Sequence, residues 1–436
     1  MSLPQPPTPH AYSLGGMRIG VATAATQIEG GDTGNQWYEW SLQPGRVADG
    51  SSPLRATDHW TRWREDTELL ASLGLPLYRM GVEWSRLEPH RGRFDPEALA
   101  HYREELSALR ERGIEPLVTL HHFSNPTWFE RAGGWTAPDA VDTWLRFVRH
   151  VVEGLGDLVT EWCTVNEPNV YATGGYLFGE MPPGRTGDWR GLRRVLRHLA
   201  VAHCRAYHLV HELRPGPGTR VGFAHHLRVF DPLDPGNPVH RGLARLSEHL
   251  FQDVLSDAML GGRFSRLLGG QPREVRPGPH YDYLGVNYYS RTAVSRLADG
   301  TFPGEPVNDL GWEIHPQGLV DVVRRLHERY PGPVWITENG VCDASDAYRA
   351  RFLHDHLGAL AGSGLPVERY YHWCFVDNWE WSEGDVPRFG IVHLDHSSQQ
   401  RTVKDSGRFL AEAARRGEVT EEMYDRFVAG QEYPRG

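Results

Sequence analysis

Two glutamates at the ends of short β-branched runs have the chemistry needed to cleave an acetal. Glu167 stands in the segment TVNEP, residues 164–168, and Glu338 stands in ITENG, residues 336–340. Splitting a glycosidic bond needs one carboxylic acid to protonate the departing oxygen and one carboxylate to meet the oxocarbenium-like carbon from the other face. Either segment alone is also typical of a strand that runs into a turn. The pair becomes informative through the elements that position it.

Eight short segments rich in β-branched and aromatic residues predict the strands of one sheet. Amphipathic helical patterns separate most of them, at residues 58–73, 96–112, 138–155, 190–213, 317–330 and 346–361. Alternating strands and helices favour a parallel sheet, and eight strands can close an α/β (β/α)8 TIM barrel with long βα loops. The predicted strands begin at Met17, Pro76, Glu115, Thr160, Arg220, Tyr281, Pro333 and Glu368.

The barrel places the two glutamates at one end of the fold. Glu167 ends the fourth predicted strand and Glu338 ends the seventh, so both would reach the C-terminal rim, where barrel enzymes carry out their chemistry. The chain has no composition break, and no Gly-x-Gly-x-x-Gly follows its first strand, which disfavours a dinucleotide-binding fold. We therefore expect one domain over residues 1–436, with a flexible N-terminal segment at residues 1–14.

Composition excludes several classes of partner. The 436 residues carry a formal net charge of -10, which disfavours nucleic acid and anionic membranes. Four scattered cysteines without a Cys-x-x-Cys pair suggest reduced structural thiols, and the Pro-rich N-terminus lacks the apolar core of a signal peptide. No His-Glu-x-x-His occurs, and the side chains of the neighbours His121-His122 and His225-His226 would diverge on strands. We expect a soluble cytoplasmic protein without metal or cofactor.

Several motifs, in this order along the chain, resemble glycoside hydrolase family 1, the β-glucosidase-like retaining β-glycosidases. They are QIEG at residues 27–30, TVNEP, TENG at residues 337–340, DNWEW at residues 377–381 and RFGI at residues 388–391. The resemblance covers nearly the whole chain. It implies a β-glycosidase, most simply a β-glucosidase, that uses a covalent glycosyl-enzyme and no cofactor, with the two carboxyl groups about 5 to 5.5 Å apart.

The resemblance also assigns roles to individual residues. Glu167 is similar to the general acid/base, which must hold a proton, and Glu338 to the nucleophile, which must be ionised. Arg79 matches the arginine beside the nucleophile, Asn166 the asparagine that bonds the sugar 2-hydroxyl, and Tyr289 the tyrosine that bonds the nucleophile. The implied substrate-binding residues are Gln27, His122, Phe123, Asn287, Trp312, Trp373, Glu380, Trp381 and Phe389.

Two departures from the family pattern concern the substrate. Phe123 follows His122 where the family commonly has tryptophan, so an indole N–H donor to the sugar is absent and glycone selectivity stays open between gluco, galacto, fuco and manno sugars. Glu383 lies where members that act on 6-phosphosugars hold the phosphate, and its charge favours an unphosphorylated sugar. The alternatives are a transglycosylase with the same intermediate, whose acceptor the loops near Trp312 and Phe178 would select, and a non-catalytic carbohydrate-binding barrel.

Overall fold

The computed structural model describes residues 8–295 and 300–436, and its centre is a closed barrel of eight parallel strands. Each strand pairs with its neighbours in chain order, and the eighth pairs with the first. The predicted (β/α)8 barrel is confirmed, and each strand begins within three residues of its predicted start. The strands are β1 (Arg18–Ala22), β2 (Leu77–Gly81), β3 (Glu115–Thr119), β4 (Glu161–Asn166), β5 (Arg220–His226), β6 (Leu284–Tyr288), β7 (Val334–Asn339) and β8 (Val367–Trp373).

The strands are buried on both faces, which explains their continuous apolar character. Glycines occur where neighbouring strands approach most closely. A Cβ atom on Gly20 of β1 would lie 2.2 Å from the carbonyl oxygen of Leu77, and one on Gly285 of β6 would lie 2.2 Å from that of Phe223. These positions therefore exclude larger residues and help fix the register of the barrel.

The six predicted helices are present, with ends shifted by up to three residues. Asp95 caps the second of them by accepting hydrogen bonds from the backbone N–H groups of Glu97 and Ala98, and Pro96 occupies its first position, where no N–H is needed. These helices cover the outside of the barrel. They are His59–Leu73, Pro96–Glu111, Ala140–Leu155, Trp189–Leu213, Pro316–Arg329 and Arg349–Ala361.

Further helices lie in the βα loops and after the last strand. Pro238–Glu248, the π-helical turn His249–Asp253 and Val254–Met259 follow β5, and Pro168–Tyr176 starts directly after Glu167. The C-terminal part contains Asp405–Arg416 and Glu421–Phe427. Short helices and 3-10 turns complete the rim: Ala25–Ile28, Gln36–Ser41, Trp84–Leu87, Thr127–Arg131, Gly134–Thr136, Arg266–Leu268 and Trp381–Glu383.

Three small two-stranded sheets lie outside the barrel. Val229–Pro232 pairs in parallel with Arg291–Val294, and Val392–Leu394 pairs antiparallel with Arg401–Val403. Tyr12–Ser13 pairs with Glu418–Val419, and Leu14 is buried, so the structure differs there from the flexible segment expected over residues 1–14. Residues 1–7 of that segment lie outside the described residues.

Apolar side chains from all eight strands and the surrounding helices form one continuous core. A smaller cluster of Ile314, Val341, Tyr348 and Phe352 lies apart from it. Among the described residues, no helix is long and apolar enough to cross a membrane.

Candidate active site

Glu167 and Glu338 face one cavity of about 650 Å³ at the C-terminal end of the barrel. Glu338 belongs to β7, whereas Glu167 follows β4 directly in the left-handed conformation, with φ of 41°, and starts the helix Pro168–Tyr176. The backbone N–H of Glu167 donates to the carbonyl of Ala224 on β5, which ties this sharp turn to the barrel. The predicted meeting of the two carboxyl groups at the rim is therefore present in the fold.

Both oxygens of Glu338 accept hydrogen bonds from buried donors. Arg79 Nη1 lies 2.5 Å from Oε1, and the Tyr289 hydroxyl lies 2.7 Å from Oε2. Burial nevertheless raises the pKa of Glu338 to about 7, and the negative charge of Glu167 adds to the rise that Arg79 and Tyr289 oppose.

Glu167 has a different set of partners. His226 Nδ1 and Asn287 Nδ2 both lie 2.9 Å from its Oε1 atom. Burial raises the pKa of Glu167, but the contacts with His226 and Asn287 and the charge of Arg79 outweigh burial, so that its pKa lies below the ordinary value.

The directions of these two pKa shifts differ from the expectation that Glu167 holds the proton. Because two buried negative charges repel each other, ionisation of Glu167 raises the pKa of Glu338. In this arrangement of hydrogen bonds the proton is favoured on Glu338 and not on Glu167. Catalysis by a protonated Glu167 would require a bound substrate to reverse that distribution.

Asn166 connects the two halves of the site. Its Oδ1 accepts hydrogen bonds from Arg79 Nη2 at 2.7 Å and from Asn287 Nδ2 at 3.0 Å, and the Thr337 hydroxyl donates to Asn287 Oδ1 at 2.7 Å. The amide of Asn166 lies 2.9 Å from His122 Nε2. Since these groups come from β2, β4, β6 and β7, the network fixes both glutamates relative to the barrel.

His122 presents its other ring nitrogen to the cavity. Burial, with the nearby charge of Arg79, lowers the pKa of His122 well below its ordinary value, so the ring is neutral. Nε2 accepts from the Asn166 amide, which places the single ring hydrogen on Nδ1. Nδ1 is buried and has no partner among the described residues. It is available as a donor to a hydroxyl group.

An aromatic wall surrounds the inner cavity. The His122 ring centre lies 5.8 Å from that of Trp373 and 5.9 Å from that of Trp381, and Phe123 lies 5.3 Å from Trp381. Trp373 Nε1 donates to Glu380 Oε1 at 3.2 Å. Burial raises the pKa of Glu380 to about 8. Flat apolar faces beside polar groups suit the C–H faces and hydroxyls of a sugar.

Two exposed aromatic side chains, Trp312 and Phe178, also line the cavity. Trp312, 36% exposed, lies 5.9 Å from Tyr289 and 6.0 Å from Phe389 between ring centres. Phe178 is exposed on the opposite loop. Glu383 also reaches this cavity, as expected for a residue that would disfavour a phosphate.

Most of the predicted site residues line the cavity, but three lie behind its surface. Arg79 hydrogen-bonds Glu338 and Asn166, and Asn287, a predicted substrate-binding residue, hydrogen-bonds Glu167 and Asn166. Gln27 donates to Asn378 and to the backbone of Trp379, while its carbonyl oxygen is buried without a partner among the described residues. The predicted residues that line the cavity are His122, Phe123, Asn166, Glu167, Tyr289, Trp312, Glu338, Trp373, Glu380, Trp381 and Phe389.

His226 is the functional candidate that sequence reasoning missed. The pair His225-His226 was considered only as a metal site, and its side chains do diverge: His225 Nε2 lies 3.0 Å from the Ser256 hydroxyl, away from Glu167. The same rule that selected Glu167, a polar residue at the end of a barrel strand, would have selected His226 at the end of β5. Other cavity residues that were not predicted include Trp40, Arg46, Val170, Met181, Arg228 and Phe251.

Within residues 8–295 and 300–436, no group of three or more His, Cys, Asp or Glu side chains is arranged to hold a metal ion. The four cysteines, Cys163, Cys204, Cys342 and Cys374, are free and buried.

Comparison with known proteins relates the chain to sugar-processing enzymes over most of its length. The family model for glycosyl hydrolase family 1 matches residues 15–419. Beta-glucosidase A of Thermotoga maritima is 32% identical over 90% of this chain and 95% of its own length. A chloroplastic galactolipid galactosyltransferase of Arabidopsis thaliana is 31% identical over 86% of this chain but 60% of its own. The solved family 1 β-glucosidase of T. maritima superposes with a TM-score of 0.84 at 31% identity, covering 92% of this chain and 98% of that one.

Proposed function

This chain belongs to glycosyl hydrolase family 1 and is a glycoside hydrolase of the β-glucosidase type, and on that premise we propose how its site works. In this proposal Glu338 is the nucleophile and Glu167 the general acid/base of a retaining hydrolysis of terminal, non-phosphorylated β-D-glycosides. The observation that supports it is the unequal environment of the two carboxyl groups. Glu338 is held by Arg79 and the Tyr289 hydroxyl, whereas Glu167 is held by His226 and Asn287.

In the first step, a Glu338 oxygen attacks the anomeric carbon while Glu167 gives its proton to the departing oxygen. The bond to the aglycone breaks as the ester bond to Glu338 forms, and the aglycone leaves as an alcohol. Arg79 and Tyr289 orient the Glu338 carboxylate and stabilise its charge before attack.

In this proposal, substrate binding shifts the proton from Glu338 to Glu167. A sugar 2-hydroxyl that donates to Glu338 would stabilise the ionised nucleophile, and a glycosidic oxygen beside Glu167 would accept a hydrogen bond from the protonated acid. Both contacts favour the tautomer with the proton on Glu167. The energy of binding the sugar is thus used in part to ready the acid for the reaction.

In the second step, the charge of Glu338 has been consumed by the ester, so Glu167 loses its main repulsive neighbour and stays ionised. It then removes a proton from water, which attacks the anomeric carbon from the face that the aglycone left, while the ester bond to Glu338 breaks and releases the sugar and the Glu338 carboxylate. Two inversions give net retention. The lowered pKa of Glu167 is unfavourable for the first step, in which Glu167 must be protonated. It is favourable for the second step, in which the ionised carboxylate activates water.

The sugar would be held by the inner wall. His122 Nδ1 can donate to a hydroxyl, the Glu380 carboxyl can bond adjacent hydroxyls, and the Trp373 and Trp381 rings can contact the C–H face. We propose β-glucosides as the main substrates and β-galactosides and β-fucosides as further ones, because Phe123 supplies no donor that would fix one hydroxyl configuration.

Transfer of the glycosyl group to an acceptor other than water is a second candidate function, because the Arabidopsis relative is named a galactosyltransferase. The same glycosyl-enzyme would form, and an alcohol would replace water in the second step. The part of the cavity lined by Trp312 and Phe178 could hold such an acceptor.

We also propose that the protein works in the cytoplasm, because four buried free thiols suit a reducing compartment. Fractionation of the producing cells, followed by immunoblotting, tests this.

The decisive experiment combines stereochemistry with replacement of the nucleophile. A panel of nitrophenyl β-glucoside, galactoside, fucoside, mannoside and 6-phosphoglucoside is assayed, and the first product anomer is followed by proton NMR. We expect β-anomers first, and no turnover of the 6-phosphoglucoside. Glu338→Ala should abolish hydrolysis, and added azide should restore turnover with an α-glycosyl azide product. Glu153→Ala, an exposed carboxylate on the helix Ala140–Leu155, is the control. A first product of α configuration would refute the retaining mechanism.

A further inference from the structure

His226 lies at the end of β5, lines the cavity and places one ring nitrogen against Glu167. Nδ1 is 2.9 Å from Glu167 Oε1, and the side chain is 9% exposed. The ring lies nearly parallel to Tyr289, with centres 5.9 Å apart and planes at 18°, and meets the edge of Phe251 at 5.9 Å and 89°. Packing on two sides therefore restricts the direction in which Nδ1 points.

The two nitrogens of His226 are in different situations. Nε2 is buried and has no hydrogen-bond partner among the described residues, while Nδ1 faces a carboxyl oxygen. A neutral imidazole carries one N–H. Placing it on Nε2 would leave a buried donor unsatisfied and set the Nδ1 lone pair against an ionised oxygen, which is costly. The N–H therefore belongs on Nδ1 whenever Glu167 is ionised.

The contacts of Glu167 are concentrated on a single oxygen. His226 Nδ1 and Asn287 Nδ2 both bond to Oε1, and no hydrogen bond from another described residue engages Oε2. An oxygen that already accepts two hydrogen bonds is the poorer site for a proton. The acid proton of Glu167 is therefore directed to Oε2, the atom that is left for substrate or water.

We propose that His226 is a positioning residue for Glu167: its Nδ1–H holds Oε1, so that Oε2 faces the reacting bond, and stabilises the ionised carboxylate that activates water. This inference rests on the proposed role of Glu167 as acid/base. As a hydrogen-bond donor to the carboxylate, His226 opposes protonation of Glu167 in the first step and favours its ionised form in the second.

The charged and titratable groups around His226 come from the ends of neighbouring strands. Glu167 from β4 is its direct partner, and Tyr289, after β6, has its hydroxyl committed to Glu338 of β7. His225 on β5 turns toward Ser256, and Arg228 lines the same cavity. From the helical side the ring meets the apolar side chain of Phe251. Glu167 is thus the carboxyl group through which His226 acts.

Two variants separate hydrogen bonding from packing. His226→Phe keeps an aromatic ring between Tyr289 and Phe251 but removes the donor, whereas His226→Asn keeps an N–H donor but removes the imidazole. We expect His226→Phe to move the alkaline limb of kcat/KM for an aryl β-glucoside to higher pH by about one unit, the size of one hydrogen bond to a charged group. For a substrate whose second step is limiting, the acid limb of kcat should move upward as well. Both shifts follow from one cause, a higher pKa of Glu167.

His226→Asn should keep both limbs near their wild-type positions, and His225→Gln on the same strand should do the same. A purely structural role of His226 would lower the rates of His226→Phe without moving either limb, and that result would overturn the proposal. So would equal shifts in the Phe and Asn variants. If the wild-type protein shows no β-glycoside hydrolysis, the proposed function itself fails, which is a separate outcome.

A measurement on the unaltered protein covers the case in which His226→Phe does not fold. Nitrogen-15 NMR of the histidine rings, with the His226 signals assigned by their loss in His226→Asn, reports the tautomer directly. We expect the hydrogen on Nδ1 in the unliganded protein at pH values where Glu167 is ionised. A hydrogen on Nε2 under those conditions would overturn the proposal.

Discussion

Arg79 and Glu338 form a salt bridge at the base of the cavity, with 2.5 Å between Nη1 and Oε1 and side chains that are 0% and 4% exposed. The same guanidinium donates to Asn166, to the Thr119 hydroxyl and to the backbone of Thr337. These hydrogen bonds hold the guanidinium in one position, so it cannot move as charge develops during a reaction. It therefore acts as a fixed field beside the carboxylate that we propose as the nucleophile.

Arg79→Met should destabilise the fold and abolish most activity. Removing one partner leaves the other charge buried, which costs about 3–5 kcal/mol of unfolding free energy. Urea denaturation measures this loss. Arg103→Met is the matched control, since Arg103 and Asp157 are 40% and 54% exposed, and an exposed pair contributes about 0–1 kcal/mol. Similar losses of unfolding free energy in both variants would show that the buried Arg79–Glu338 pair stabilises the fold no more than an exposed pair does.

Glu167→Ala should discriminate between leaving groups. A dinitrophenyl glycoside needs little protonation, so its first step should survive, whereas cellobiose hydrolysis should fall by about 10²–10⁴-fold, the usual contribution of a general acid. Steady-state kinetics on both substrates measure the difference. Azide should accelerate turnover of the aryl substrate and give the β-glycosyl azide. Equal losses on both substrates would argue against the acid role.

Tyr289→Phe should move the acid limb of kcat/KM to higher pH. The Tyr289 hydroxyl bonds the ionised form of Glu338, so its loss raises the pKa of Glu338 further above 7. Because the nucleophile must be ionised, activity then appears only at higher pH, by roughly one unit. Tyr288→Phe is the neighbouring control, since the Tyr288 hydroxyl donates to the carbonyl of His315. An unchanged acid limb in Tyr289→Phe would contradict this assignment.

Glu130→Gln should change the pH dependence of stability. Burial raises the pKa of Glu130 to about 7, against about 4.3 in an unfolded chain. Between these values the folded protein binds more protons, so this residue lowers stability as pH rises from about 4 to 7. The variant should match the wild type at pH 4.5 and exceed it by about 1–2 kcal/mol at pH 8. Urea unfolding at both pH values tests the sign. A gain at pH 4.5 as large as that at pH 8 would refute it.

The barrel and its two rim glutamates could be predicted from the sequence because their signals are local. Runs of β-branched residues mark each strand, and the helical period marks the segments between them. Once eight strands alternate with helices, the positions of Glu167 and Glu338 at strand ends follow from the direction of a parallel sheet. Most of the residues that the family motifs then assigned line the cavity.

Only the tertiary structure decided which side chains meet across the rim. His226 is 59 positions from Glu167 in the chain, and their contact depends on how the ends of β4 and β5 are placed by barrel closure. Asn287 was expected to bind substrate, yet it links Glu167 to Asn166. Tyr12–Ser13 pairs with Glu418–Val419 near the other end of the chain. Such contacts leave no local periodic signal.

The proton distribution was likewise beyond the sequence. Residue types identify two carboxylic acids with complementary roles, but a pKa depends on burial, on the distance to other charges and on which oxygen accepts each hydrogen bond. Those quantities exist only after folding. The sequence determined that two glutamates stand at the ends of the fourth and seventh barrel strands, and the fold determined the directions in which their pKa values are shifted.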